Sequence, residues 1–194
     1  LPLEAHGPER PDGAESDGAT PHDQDRSLPQ RAHLEHGMHA HGQGLDDEIV
    51  ELCKDVFDVF SINCYDIYPD REMLDRYMEI TGKPLFIGEF HFGTVDRGLA
   101  QSLVQVNSQE ERGVAYRYYT ENGYAHPGLI GTSYFQWCDQ DLTGRFDGEN
   151  YNCGLVDVTD LPYPLLVKAV SETTGRLFEI HSGTLPPVER APVK

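Results

Sequence analysis

Everything this chain can bury lies in its second part. The first 44 of its 194 residues contain no Val, Ile, Phe, Tyr or Trp, and all 19 aromatic residues fall between Phe57 and Phe178. The opening stretch holds instead five Pro, six Gly and six of the nine His. A segment without large apolar side chains cannot offset the conformational entropy of ordering itself. Residues 1–44 are therefore read as disordered or non-native sequence, and a folded domain is expected over 45–181, with a tail over 182–194. That leaves roughly 135 foldable residues, about half of what a complete (β/α)8 barrel uses.

From Leu45 the pattern alternates between helix and strand. Asp46–Lys54 carries acids in its first turn and Ile49, Val50, Leu52 and Cys53 toward one side, which predicts a helix. Val56–Asn63 is a Val-, Ile- and Phe-rich strand. Arg71–Thr81 spaces Met73, Leu74, Tyr77 and Met78 for one helical face and stops at Gly82. The strand Leu85–Phe90 follows, then a helix around Gln109–Glu121 closed by Asn122-Gly123, a strand Leu129–Trp137, and a last helix Pro164–Ile180. Strands alternating with helices of this size pair in parallel through right-handed crossovers. The fold class is α/β, and the units fit either a partial (β/α)8 TIM barrel of about three βα units or a small open sheet.

Charge narrows the partners. With 15 Lys+Arg against 33 Asp+Glu the net charge is −18, a balance that repels nucleic acid and anionic membrane surfaces, so neither is an expected partner. No apolar run approaches the length of a membrane-spanning helix. The chain opens Leu1-Pro-Leu3 without an initiator Met or a secretory leader, so its start is expected to be an internal cut. Cys53, Cys64, Cys138 and Cys153 have neither metal-site spacing nor disulfide-scaffold density and are expected as buried free thiols. His33, His36, His39 and His41 form a tract that would attract Zn, Ni or Cu ions, but Gly37, Gly42 and Gly44 deny it a rigid frame. No designed metal site and no cofactor are expected.

The chemistry gathers at the strand ends. The strands close on Asn63-Cys64-Tyr65-Asp66, on Glu89-Phe90-His91, and on Gln136-Trp137-Cys138-Asp139. In parallel α/β folds these ends form one rim. An acid finishing an apolar strand is costly to desolvate unless the site uses or pairs it, which singles out Glu89. Tyr65 stands where it can donate its hydroxyl hydrogen to Glu89, and Tyr134 and Trp137 offer flat apolar faces of the kind on which sugar rings rest. A plainer account uses the same residues: aromatics capping a core, a structural His91, and Glu89 paired with Arg97 or Arg145. The loop from Asp139 also brushes against a calcium-loop pattern through Asp141, Thr143 and Gly144, but its twelfth position is Asn150 and the reading is rejected.

Together, Gly88-Glu-Phe-His-Phe-Gly93, Asp96-Arg-Gly98, Phe135-Gln136, Asp139-Gln140, Thr143-Gly-Arg-Phe-Asp-Gly-Glu-Asn-Tyr-Asn152, Val156-Asp-Val-Thr-Asp160 and Pro162-Tyr-Pro164 carry a resemblance. The run from Val56 to about His181 resembles the C-terminal part of a clan A (β/α)8 glycoside hydrolase, most like the exo-type β-agarase family. The resemblance implies retaining hydrolysis of a β-galactoside-containing polysaccharide such as agarose, with Glu89 as the nucleophile on the seventh strand and Tyr65 orienting it. His91, Asp96, Tyr134, Gln136, Trp137 and Asp139 would line the sugar subsites. It also implies a secreted or periplasmic protein.

Two departures accompany it. The family's acid/base stands in an Asn-Glu pair, and this sequence contains no Asn-Glu dipeptide; the expected eighth-strand Trp is replaced by Tyr134, with Trp137 three residues on. The isolated chain is therefore expected to be inactive, with the missing N-terminal half of the barrel as its partner. The alternative is a non-catalytic carbohydrate-binding or interaction module.

Overall fold

A computed structural model describes residues 45–100 and 102–194. The expectations for residues 1–44, including the histidine tract, lie outside the described residues. In chain order the elements are α1 (Asp47–Cys53), β1 (Phe60–Asn63), α2 (Arg71–Thr81), β2 (Leu85–Phe90), α3 (Gln109–Tyr124), β3 (Leu129–Tyr134), α4 (Pro164–Thr174) and α5 (Leu177–His181). The strands form one parallel sheet in the order β1-β2-β3. The strand–helix alternation of the sequence is thus realised as three parallel strands.

Local chemistry sets the element ends. Asp70 caps α2 by accepting from the Met73 amide at 2.9 Å, and Gly82 ends it in the left-handed region at φ 61°. Ser108 caps α3 through the Glu111 amide. Four boundaries depart from the sequence reading. β1 begins at Phe60, not Val56, because the amides of Val56 and Phe57 turn back onto the Cys53 carbonyl behind α1. α3 runs through Asn122-Gly123; a Cβ on Gly123 would stand 3.0 Å from Leu129 and 3.1 Å from Pro69, so this glycine serves close packing rather than a turn. β3 stops at Tyr134, because the Trp137 carbonyl accepts from the amides of Leu155 and Val156 instead of continuing the ladder. The last helix is divided at Gly175-Arg176 into α4 and α5.

The helix side of the sheet carries the core. Phe60, Ile62, Leu85, Ile87 and Leu129 are buried there with Leu74, Tyr77, Ala115, Tyr119 and Leu166 from the helices. The Phe90 ring stacks on Tyr119 with centroids 4.2 Å apart, so Phe90 shares this side with Leu85 and Ile87. Strict alternation would instead place Leu85, Ile87 and Glu89 together. The phase changes between Ile87 and Phe90, where the register with β3 slips, and Asn63 pairs with Glu89 across a matching irregularity in β1. Gly88 makes room for this: a Cβ there would lie 2.8 Å from Asn63 Oδ1. Glu89 is thereby turned out of the core.

On the opposite face Ser61 is exposed, Phe86 is half-buried and Ile130 is 50% exposed. The outer edges of β1 and β3 pair with no other strand among the described residues. The C-terminal segment is tied along α3. Glu121 accepts from the Val188 amide and Glu111 from the Val193 amide, while Asn107 donates to the Val193 carbonyl.

Candidate active site

Glu89 and Tyr65 meet at the C-terminal end of the sheet. Pairing of β1 with β2 brings the Cys64 amide onto the Glu89 carbonyl at 3.0 Å, and the buried Tyr119 hydroxyl holds the Cys64 carbonyl at 2.7 Å. This double anchorage sets the next residue, Tyr65, so that its hydroxyl donates to Glu89 Oε2 at 2.7 Å. Burial, and then the hydrogen bond to Glu89, push the Tyr65 hydroxyl far above the usual phenol range, so it stays a donor. The arginines weighed as partners for Glu89 are engaged elsewhere. Arg145 pairs with Asp147 and Glu149, and Arg97 lies over the Tyr163 ring.

His91 backs this pair from inside the protein. It is 1% exposed, and its ring meets Tyr65 edge-on with centroids 4.9 Å apart and lies 5.9 Å from both Phe135 and Tyr151. Nε2 accepts from the Leu103 amide at 3.2 Å. Burial, helped by the charge of Arg112, lowers its pKa to about 3, so the ring is neutral.

The remaining candidates separate into braces and rim. The Tyr134 hydroxyl bonds the Phe92 carbonyl at 3.2 Å and fixes the exit of β2. Gln136 donates to the Cys138 carbonyl. The Phe135–Gln136 peptide is cis. Asp139 is buried and accepts three hydrogen bonds: Oδ2 accepts from Tyr163 at 2.5 Å and Asn152 at 2.8 Å, and Oδ1 from the Gly154 amide. Asp96 is exposed and accepts from Gln109. Trp137 is 68% exposed. Beside Tyr65 a cavity of about 360 Å³ opens, lined also by Asp66, Leu103, Val104, Gln105 and Lys194.

One brace escaped the sequence reading. Arg112 of α3 is 0% exposed and spends its guanidinium on the Phe92 carbonyl (2.9 Å), the Gly154 carbonyl (2.6 Å) and Gln109 Oε1 (2.9 Å). Its centre lies 4.8 Å from the Tyr163 ring, whose hydroxyl reaches Asp139. An arginine is ordinarily assigned to the surface. The available signal was its place on the stripe Arg112, Ala115, Tyr116, Tyr119, the spacing of a buried helical face. Among the described residues no group of three or more His, Cys, Asp or Glu side chains is placed to hold a metal ion.

No family model matches the chain. Over 147 residues it is 39% identical to Beta-agarase A of Vibrio sp. (strain JT0107), an alignment covering 72% of this chain and 15% of that protein. Beta-agarase B of the same strain is 38% identical over 132 residues, covering 66% and 14%. This chain is similar to β-agarases. Solved structures agree with the sequences. An exo-β-agarase superposes with a TM-score of 0.67 at 36% identity over 71% of this chain and 19% of that one. The agarase AgWH50C gives 0.67 at 35% identity over 71% and 21%. The chain thus spans about one seventh of the length of the curated relatives it matches.

Proposed function

We propose that this chain is the C-terminal part of the catalytic barrel of a retaining β-glycosidase acting on a β-galactoside-containing polysaccharide such as agarose, with Glu89 as the nucleophile. The observation that carries the reading is the hydrogen bond from Tyr65 to Glu89 at the C-terminal end of the sheet. The likeness to the two β-agarases supports the substrate class.

In the proposed reaction a Glu89 carboxylate oxygen attacks the anomeric carbon. The glycosidic C–O bond breaks as the new ester bond forms, and the leaving oxygen takes a proton from a second carboxyl group. Water then hydrolyses the glycosyl ester. Tyr65 holds the attacking carboxylate in one rotamer, and His91 packs behind Tyr65 as a neutral wall. Retention needs the second carboxyl about 5–5.5 Å from the first, and the Asn-Glu pair that supplies it in the family is absent from this sequence. The reading therefore assigns the acid/base to another part of the barrel and no hydrolysis to the chain alone. The outer edges of β1 and β3, which pair with no other strand among the described residues, and the half-exposed Ile130 are consistent with strands that belong beside them.

The test is a chimera in which residues 45–181 replace the matching segment of Beta-agarase A. Release of reducing ends from agarose by the chimera, lost on Glu89→Gln, is the expected result. A folded chimera that is inactive with Glu89 in place, or active without it, overturns the assignment.

A further inference from the structure

Residues 186–194 form no helix or strand, and none of them is buried. Pro186, Pro187 and Pro192 stiffen the segment and offer no amide. Two buried carboxylates of α3 hold it by its backbone. Glu121 accepts from the Val188 amide at 3.0 Å but is also met by Arg117 and Arg176. Glu111 is 8% exposed, and among the described residues its carboxylate is bonded by this segment. Oε1 accepts from Arg190 at 2.6 Å and Oε2 from the Val193 amide at 2.8 Å. The Val193 side chain is largely exposed, so the grip is on its backbone.

The grip is passed on toward Glu89. The Val193 carbonyl accepts from the Asn107 amide at 3.1 Å. Asn107 ends a loop whose Val106 amide donates to the Gly93 carbonyl and whose Val104 carbonyl accepts from the Gly93 amide. The same loop supplies the Leu103 amide that donates to His91 Nε2, and the His91 ring lies edge-on against Tyr65, the donor to Glu89. Leu103, Val104 and Gln105 also wall the cavity beside Tyr65, and Lys194, next after Val193, lines it with them. A segment with no buried side chain contributes little to the core. It ends instead against the loop that backs the Tyr65–Glu89 pair.

We infer that Glu111 is a positioning residue: by clasping Val193 it locks residues 103–107 against His91 and fixes one wall of the cavity beside Tyr65. The functional meaning rests on the proposed role of Glu89, but the lock is read without turnover, so either can fail alone. Native-state amide hydrogen exchange is followed by NMR in the full chain, in Glu111→Ala and in a variant ending at Arg190, which removes no buried residue. Val193→Ala keeps both backbone contacts and should match the parent. Release of the clasp should speed exchange at Gly93, Leu103 and Val106 by about tenfold and leave Leu74 in α2 within about twofold of the parent. It should also shift the His91 Nε2 resonance, which a general loss of stability leaves in place. Faster exchange confined to Asn107, or equal acceleration at Leu74, overturns the lock and leaves the Glu89 reading standing. A Val193→Ala chain that exchanges like the truncated one overturns the backbone clasp as well.

Discussion

Lowering the pH from about 7.5 to about 4.5 leaves His91 neutral in the folded chain while protonating it in the unfolded one. The folded ring is 1% exposed and titrates at about 3 because burial penalises its charged form, with Arg112 adding to the penalty. An unfolded histidine titrates near 6.5. Between those two values the unfolded state binds more protons, so stability declines as the pH falls through 6.5 and keeps declining toward 3. At about 1.36 kcal/mol per unit, the loss from this one residue reaches about 2.7 kcal/mol at pH 4.5. That is a large share of the roughly 5–15 kcal/mol that holds a typical domain together.

Urea melts of the parent and of His91→Gln, followed by the near-ultraviolet signal of the tyrosines, isolate the effect. Gln retains an acceptor for the Leu103 amide and has nothing to titrate, and acids common to both proteins cancel in the difference. The parent should lose about 2.7 kcal/mol more than His91→Gln across this range. Parallel losses, or an imidazole resonance of His91 titrating near 6.5, would refute the reasoning.

Two further outcomes follow from the braces and the thiols. Arg112→Met keeps the bulk of the side chain but withdraws donors from the Phe92 and Gly154 carbonyls, and should cost roughly 3–5 kcal/mol in urea melts; a loss below about 1 kcal/mol would show that the buried cation is not holding these loops. Burial pushes the Cys64 thiol up to about 11 and that of Cys153 up to about 12, so at mildly alkaline pH the half-exposed Cys138 should be alkylated first. Peptide mapping that finds Cys153 modified in the native protein as fast as Cys138 would contradict the core described here.

What the sequence disclosed follows from how local each determinant is. α2 and β2 were read to the residue, because Asp70, Gly82 and the proline before Leu85 mark their limits within a few positions. The start of β1 was misread because the Val56 and Phe57 amides turn back onto the Cys53 carbonyl, and the end of α3 where a distant contact overrides a local sign: Gly123 looks like a terminator and is a packing residue against Leu129 and Pro69. The Tyr65–Glu89 pair was legible because Tyr65 lies just past the end of β1 and Glu89 among the last residues of β2, ends that a parallel sheet must align. Arg112, Tyr163 and Asn152 were not, since nothing in their spacing announces that they converge on Asp139 and the exit of β2 from three separate segments. The same network shows both oxygens of the Asp139 carboxylate bonded within the loop framework.

The strut from Tyr119 to the Cys64 carbonyl has a consequence for how such a site is inherited. The contacts that set Tyr65 against Glu89 run from β1 through β2 to the middle of α3, a continuous stretch from Phe60 to Tyr119. Glu89 and its donor therefore travel together within one continuous stretch of chain. Recombination that cuts the gene outside this stretch keeps the pair aligned, whereas a cut between Tyr65 and Glu89 separates the carboxylate from its hydrogen-bond donor.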